Sequence, residues 1–168
     1  RDAAVAGVPC RLLRIGFTGE LSYEIHCPAG TGRHVWEAVL DAGREYGIRP
    51  FGVEAQRVLR LEKGHLIVGQ DTDGLTDPIA ADMELAVKLD KADFLGQRAI
   101  GRVQRHPPRQ RLVGFKMVAP GVVPDEGLQI VRPGSDGQME IIGWITSSRH
   151  SPTLNETIGL CWLDSDVA

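Results

Sequence analysis

The sequence lacks long runs of any one chemical type. Its 168 residues contain no apolar stretch approaching the roughly 18 residues of a membrane-spanning helix. They contain no long basic run either, and the 19 Lys and Arg residues stand against 22 Asp and Glu, which gives a net charge of −3. Nucleic acid and an anionic membrane surface are therefore not expected as partners.

Cysteine is also scarce. Cys10, Cys27 and Cys161 are odd in number, far apart and never in a CxxC pair. This argues against a zinc site or a disulfide framework and favours the buried, reduced thiols of a cytoplasmic protein. The five histidines have no metal-ligand spacing, and no nucleophile motif, P-loop or dinucleotide-binding glycine pattern occurs. We therefore expect no metal site.

An initiating Met and an apolar leader are missing too. The chain opens RDAAVAGVPC and closes DSDVA, and from these ends we expect a fragment of a longer protein. The composition, with 42% hydrophobic and 24% charged residues, is that of a globular domain with a packed core.

The first half of the sequence alternates strand and helix patterns. Residues 10–16 and 21–27 predict two strands around a turn at Thr18-Gly19, with Glu24 and His26 on one face of the second. Apolar stripes, including Trp36 in the first and Val53 in the second, predict helices over residues 31–46 and 53–63. This order is typical of the later part of a ferredoxin-like α+β unit.

The pattern changes from about residue 85. Residues 84–100 predict a short strand and then a helix with Asp93 as its N-cap, and RHPPRQ, residues 105–110, predicts a linker. Short strands separated by Gly, Pro and Asp turns follow, over residues 111–117, 128–131, 139–147 and 157–163. They predict a small antiparallel β-barrel or sandwich.

The stretch GQDTDGLTDP, residues 69–78, raises three alternatives: a calcium loop, a catalytic pair of carboxylates, or a hydrogen-bonded turn. An EF-hand loop is disfavoured because Gly74 follows Asp73 directly and Asp82 stands where the loop needs Glu. Clusters of Asp, Thr and Gly are typical of Asx turns, which favours the turn and leaves the carboxylate pair open.

Glu24 and a basic helix face each allow two interpretations. A strand carboxylate such as Glu24 can accept hydrogen bonds from the paired N–H groups of an aminopyrimidine ring, although a solvent-facing residue is the more common case. Arg57, Arg60 and Lys63 lie along one side of the second helix, a pattern typical of a solvated face.

Four ordered motifs carry a family resemblance. RIGFTGELSYEIHCP, LRLEKG with GQDTDGLTDP, DFLGQRAI, and GWITSSRHSPTLNETIGLCWL resemble the folate-binding aminomethyltransferase family, from about residue 10 to 164. That family includes the glycine cleavage T-protein, dimethylglycine dehydrogenase and the alpha subunit of heterotetrameric sarcosine oxidase. Within the family, the stretch EKGHLIVGQDTDGLTDP most resembles the sarcosine oxidase branch.

The resemblance implies a domain division and a set of ligands. Residues 1–92 would form part of the folate-binding domain, 93–108 a connecting helix and linker, and 109–168 an incomplete C-terminal β-barrel. Tetrahydrofolate is the implied cofactor, with an amine-derived one-carbon unit as substrate. Flavin and NAD would bind elsewhere in the parent protein, and other oxidase subunits would be partners. The family's catalytic aspartate is expected upstream, so no catalytic residue is assigned and the fragment is expected to be inactive.

By position, the resemblance also implies folate-binding residues. Glu24 matches the carboxylate that grips the pterin ring, and Tyr23 would pack nearby. Gln56 stands where T-proteins carry Arg, and His65 where they carry an aromatic residue. Since an uncharged Gln56 cannot pair with a carboxylate as Arg does, these departures bear on contacts to the glutamate tail of folate. Arg60 completes the candidate set.

The same resemblance bears on the acids and on the overall function. The aspartates of the 69–78 stretch are structural in the family, so Asp71 and Asp73 are expected to make turn and cap hydrogen bonds. The expected function is one-carbon transfer to tetrahydrofolate in a sarcosine oxidase-like protein. The alternatives are an aminomethyltransferase of the T-protein type and a non-catalytic assembly module without folate, which Gln56 favours.

Overall fold

A computed structural model describes residues 1–106, 108–135 and 137–168. Within those ranges the chain forms three α-helices and two antiparallel sheets, which confirms the predicted α+β class. The chain divides into two compact units, Arg1–Lys63 and Gly64–Ala168. No described helix has the length and apolarity that crossing a membrane requires.

The first unit is a three-stranded sheet with two helices. Its strands pair in the order β1-β2-β3, and the elements are β1 (Asp2–Val5), β2 (Val8–Leu13), β3 (Glu24–His26), α1 (Gly32–Ala42) and α2 (Val53–Glu62). Alternate residues of β2 face inward, and Val8 and Cys10 form a buried cluster with Val35 of α1. Amphipathic pairing of one sheet face with one helix stripe therefore builds this core.

The hairpin of β1 and β2 was not predicted. Its two-residue turn, Ala6-Gly7, has φ values of 51° and 77°, the left-handed pair that a type I′ turn requires. His34 Nε2 of α1 donates a hydrogen bond of 3.0 Å to the Ala6 carbonyl oxygen, which fixes the turn against the helix. The turn signal was weak because Ala, unlike Gly or Asn, rarely adopts positive φ.

The two predicted strands at residues 10–16 and 21–27 are shorter than expected, since residues 14–23 form an irregular loop. Gly19, at φ 81°, lies against the side-chain stem of Lys63, and a β-carbon at this position would overlap that stem. Ser22 Oγ donates to the Ile15 carbonyl oxygen at 3.0 Å. The Ser22 bond closes the loop on itself, and the Gly19 contact holds it against the end of α2.

The predicted helix over residues 31–46 is interrupted. α1 ends at Ala42, Arg44–Tyr46 form a short 3-10 turn, and Gly47 stops it at φ 70°. Two large apolar side chains of the predicted stripes face solvent against expectation: Trp36 is 55% exposed and Val53, at the start of α2, is 65% exposed. The smaller Ala42 and Ala55 are exposed as well.

The second unit is built on a four-stranded antiparallel sheet. The strands pair in the order β4-β7-β6-β5, and the elements are α3 (Gln97–Val103), β4 (Gln110–Lys116), β5 (Gln129–Pro133), β6 (Met139–Ser151) and β7 (Glu156–Asp164). All four strands were predicted, although β6 runs four residues beyond residue 147. The predicted linker includes Pro107, which lies outside the described residues.

The approach to α3 differs from the prediction. Residues 84–86 form a 3-10 turn instead of a strand, and the helix begins after Gly96, at φ 94°, instead of after Asp93. The left-handed conformation at Gly96 redirects the chain into the helix, so a side-chain cap at Asp93 is three residues too early.

The core of the second unit lies along β7. Ile158, Leu160, Cys161 and Trp162 are all buried there, and desolvation raises the pKa of the Cys161 thiol to about 11. On β6 a bulge between Ile145 and Ser147 shifts the register. The bulge breaks the alternation of the strand, because consecutive residues from Ile145 to Ser148 are buried.

Candidate functional site

Glu24 lies on a polar face of the first sheet. Its strand partner is Leu13, and its neighbour two residues along is His26, whose partner on β2 is Arg11. His26 Nε2 donates to Glu24 Oε2 at 2.9 Å, and Arg11 Nε donates to Asp2 Oδ1 at 3.3 Å. The predicted shared face of Glu24 and His26 is confirmed, and it carries both donors and acceptors.

The Glu24 side chain is open to a ligand. It is 52% exposed, and its one described hydrogen bond uses Oε2, so no described residue bonds Oε1. Tyr23, which precedes it, is 59% exposed. A carboxylate in this setting can accept hydrogen bonds from paired N–H groups, with an aromatic ring beside it.

Gln56 and Arg60 lie one turn apart on α2 and so share one side of that helix. Gln56 is half-buried, and Arg60 is only 1% exposed. The expectation of a solvated basic face is therefore wrong for Arg60. A guanidinium that is removed from water needs compensating contacts inside the protein, which gives Arg60 a structural role in the first unit. Arg57, by contrast, donates from the surface to Glu54 at 3.1 Å.

The five predicted ligand-binding residues fall into three places. Tyr23 and Glu24 occupy the edge strand β3 and its entry, Gln56 and Arg60 occupy α2, and half-buried His65 belongs to the second unit. No described hydrogen bond joins Glu24 to Gln56.

An open depression of about 300 Å³ lies in the loop between β2 and β3 of the same unit. It is lined by Arg14, Gly16, Gly19, Glu20, Leu21 and Ser22. Arg14 was not predicted as a site residue, and neither was Arg11. Both are basic residues of the strand pattern at residues 10–16, and alternation along that pattern is the signal that could have marked Arg11 as outward-facing.

Asp71 makes a buried clasp in the second unit, which we define as the contacts of its carboxylate and carbonyl with the sheet. The residue is 1% exposed. Its Oδ1 accepts from Thr146 Oγ1 at 2.6 Å and from Ser147 Oγ at 2.5 Å. Its Oδ2 accepts from the Ile67 amide at 2.7 Å, and its carbonyl accepts from Trp162 Nε1 at 2.8 Å. The clasp thereby fastens one loop to both central strands of the sheet.

Asp73 makes a local turn. Its Oδ1 accepts from the Leu75 amide and from Thr76 Oγ1, each at 2.9 Å. The backbone hydrogen bond from Leu75, followed by that side-chain bond, lowers the pKa of the Asp73 carboxyl. The predicted turn bonds are confirmed for Asp73, whereas the bonds of Asp71 also reach strands 75 residues away. Both carboxylates face N–H and O–H donors, which is the chemistry of a folded turn and not of a calcium loop.

Two family models match the chain. Residues 1–91 match the GCVT N-terminal domain, and residues 110–168 match the glycine cleavage T-protein C-terminal barrel domain.

Relatives cover nearly all of the chain. It is 43% identical over 159 residues to the sarcosine oxidase subunit alpha of Corynebacterium sp. (strain P-1), covering 92% of the chain and 16% of that protein. It is 38% identical over 162 residues to the aminomethyltransferase of Halothermothrix orenii, covering 96% and 44%. The crystal structure of glycine cleavage system aminomethyltransferase T from Bartonella henselae superposes with a TM-score of 0.79 at 28% identity, covering 92% and 42%. The chain thus spans less than half the length of each of these proteins.

Proposed function

Because the chain belongs to the glycine cleavage T-protein family, we propose that it is the part of a tetrahydrofolate-dependent one-carbon transfer protein that holds the pterin ring. The observation that carries this proposal is the Glu24 carboxylate, half-exposed on an edge strand with Oε1 available. Its acceptor chemistry fits the N–H groups of an aminopyrimidine ring.

The other candidate residues divide into contacts and supports. Tyr23 would offer its ring beside Glu24, and His26 would hold the carboxylate in place through its hydrogen bond at 2.9 Å. Gln56 and His65 would contribute further polar contacts, while buried Arg60 would have a structural role inside the first unit. Bound tetrahydrofolate supplies the nitrogens that accept an amine-derived one-carbon unit. The contribution of this chain is to hold those nitrogens in place, an effect of proximity and orientation.

We propose a parent of the sarcosine oxidase alpha-subunit type, in which flavin, NAD and other oxidase subunits belong to segments and chains outside this one. The 43% identity to such a subunit supports this choice. We retain the division into residues 1–92, 93–108 and 109–168. A cytoplasmic location is proposed because the three cysteines are free thiols, which is usual in that compartment.

An aminomethyltransferase of the T-protein type is the second candidate. It is favoured by the Halothermothrix relative and by the superposition on aminomethyltransferase T. The sequence of the parent upstream of this chain separates the two, because an oxidase alpha subunit would carry flavin- and NAD-binding segments there. The non-catalytic alternative is separated from both by folate binding itself.

Replacing Glu24 tests the proposal directly. We expect Glu24→Gln to weaken binding of 5-formyltetrahydrofolate to the full-length parent roughly 10- to 150-fold, since one charge-assisted hydrogen bond contributes about 1.5–3 kcal/mol. Isothermal titration calorimetry measures the two dissociation constants. The substitution keeps the side-chain shape, removes the charge and replaces one acceptor oxygen with an N–H donor.

Glu37→Gln is the matched control. Glu37 is another exposed carboxylate of the first unit, and it accepts from Arg33 Nε on α1 at 2.7 Å. Its replacement is expected to leave folate affinity unchanged. Equal affinities in Glu24→Gln and the parent would remove Glu24 from the site, and no saturable binding by the unaltered parent would favour the assembly module.

A further inference from the structure

The register of the first sheet brings Cys10 and Cys27 side by side, on β2 and just after β3. β2 and β3 pair antiparallel with Leu13 opposite Glu24, Leu12 opposite Ile25 and Arg11 opposite His26. One step further along this register Cys27 falls opposite Cys10, although the hydrogen-bonded strand β3 ends at His26. The two thiols are seventeen residues apart in sequence but are neighbours in the fold.

Packing places both cysteines on the inner face. Cys10 belongs to the buried cluster with Val8 and Val35, and Cys27 packs against that same cluster. Cys10 is 6% exposed, and its Sγ donates to the Val8 carbonyl oxygen at 3.2 Å, whereas Cys27 is only half-buried. One thiol of the pair is therefore accessible to a small reagent, and the other is its buried neighbour.

The spacing of such a pair suits a disulfide. Directly opposed residues of antiparallel strands have α-carbons about 4.5–5.5 Å apart, and disulfides span α-carbon separations of about 4.4–6.8 Å. We propose that Cys10 and Cys27 are a cross-strand thiol pair that small-molecule disulfides, such as glutathione disulfide, oxidise to an intramolecular disulfide. In a reducing compartment the pair rests as two thiols.

The chemistry is two thiol–disulfide exchanges. The Cys27 thiolate, formed by loss of its proton, attacks one sulfur of glutathione disulfide, and one glutathione thiolate leaves. The Cys10 thiolate then attacks Sγ of Cys27 in the mixed disulfide and releases the second glutathione. The protein loses two protons and two electrons, and glutathione disulfide is reduced to two glutathione thiols.

The third cysteine is an internal control. Cys161 is 1% exposed, and burial raises the pKa of its thiol to about 11, so it supplies little of the thiolate that exchange requires. A pair selected by geometry should react while Cys161 does not. Random oxidation of thiols would involve all three residues.

The test is oxidation of the folded 168-residue chain by glutathione disulfide. After acid quenching, unfolding and alkylation, intact mass and tryptic peptides are measured. We expect one alkyl group per chain, on the peptide of residues 150–168, and a linked pair of peptides covering residues 2–11 and 15–33. Dithiothreitol should restore three alkylation sites. A stable glutathione adduct on Cys27 with Cys10 alkylated, or a linkage that includes Cys161, would overturn the proposal.

Two serine variants complete the test. Cys10→Ser is expected to hold the mixed disulfide on Cys27, because the resolving thiol is gone. Cys27→Ser is expected to leave both remaining cysteines alkylated, and it keeps the proposal testable if a polar group at the buried position 10 prevents folding. Formation of the same linked species in Cys161→Ser confirms that Cys161 plays no part, whereas its loss there counts against the pair.

Discussion

Replacement of Asp71 by Ala is expected to lower the free energy of unfolding of the second unit by about 3–5 kcal/mol. Hydrogen bonds to a charged acceptor contribute about 1.5–3 kcal/mol each and do not add fully. The Asp71 carboxylate accepts such bonds from Ile67, Thr146 and Ser147, among others. Their loss removes a charged acceptor from buried N–H and O–H donors, although Thr146 Oγ1 can still donate to the Leu160 carbonyl oxygen at 3.2 Å. Asp71→Asn should be milder, because its amide retains one acceptor oxygen but places a donor against a donor.

Urea titration followed by tryptophan fluorescence measures the effect. A Trp36→Phe background confines the signal to Trp144 and Trp162, which lie in the second unit, and exposed Trp36 is a tolerant position. Asp73→Ala is the matched control, since Asp73 lies two residues away and its bonds stay within the loop. A loss in Asp71→Ala no larger than in Asp73→Ala would show that the clasp does not stabilise the sheet.

Gly143→Ala is the second large effect, and we expect it to cost about 3 kcal/mol. A β-carbon at this position of β6 would overlap the Trp162 carbonyl oxygen and lie 3.0 Å from Leu163 Cδ2. The overlapped atom belongs to the backbone of β7, so no rotamer change relieves it and the two strands must separate locally. Overpacking of a fitted interior typically costs about 1–3 kcal/mol, and a backbone overlap belongs at the upper end.

Gly114→Ala, on the edge strand β4 of the same sheet, is the control. The nearest atom to a β-carbon there is the Gly159 carbonyl oxygen at 3.9 Å, an ordinary contact. The same substitution in the same sheet is thus expected to be neutral or to stabilise by roughly 0.4–1 kcal/mol, through the smaller entropy of the unfolded chain. Thermal unfolding measures the Tm of both variants. Equal Tm shifts in Gly143→Ala and Gly114→Ala would contradict a steric cause.

The periodic elements could be predicted because their signals are local. The alternation of residues 21–27 predicts Glu24 and His26 on one face of the strand. The short apolar stretches between turns after residue 109 predict all four strands of the second sheet. Two local conformations were not predicted: the left-handed turn at Ala6 and the left-handed residue Gly96 at the entry to α3. The residue type alone rarely indicates such conformations.

Long-range contacts could not be predicted from pattern. Asp71 has the surroundings of an ordinary turn, and its partners Thr146 and Trp162 lie 75 and 91 residues away. Arg60 has the spacing of a solvated helix face, yet the fold around α2 buries it. In both cases the tertiary contacts determine whether the side chain is buried, whereas the sequence indicates only that it is polar.

The strand order β4-β7-β6-β5 also determines when each strand can pair during synthesis on the ribosome. β4 pairs in its sheet only with β7, which comes last of the four strands. About 40 residues separate the end of β4 at Lys116 from the start of β7 at Glu156, which is roughly 2–8 s of translation at about 5–20 residues per second. During that interval the β5–β6 hairpin can form, while the nascent β4 strand lacks its strand partner. The newborn chain is therefore most open to intermolecular strand pairing, and to chaperone capture, just before β7 emerges.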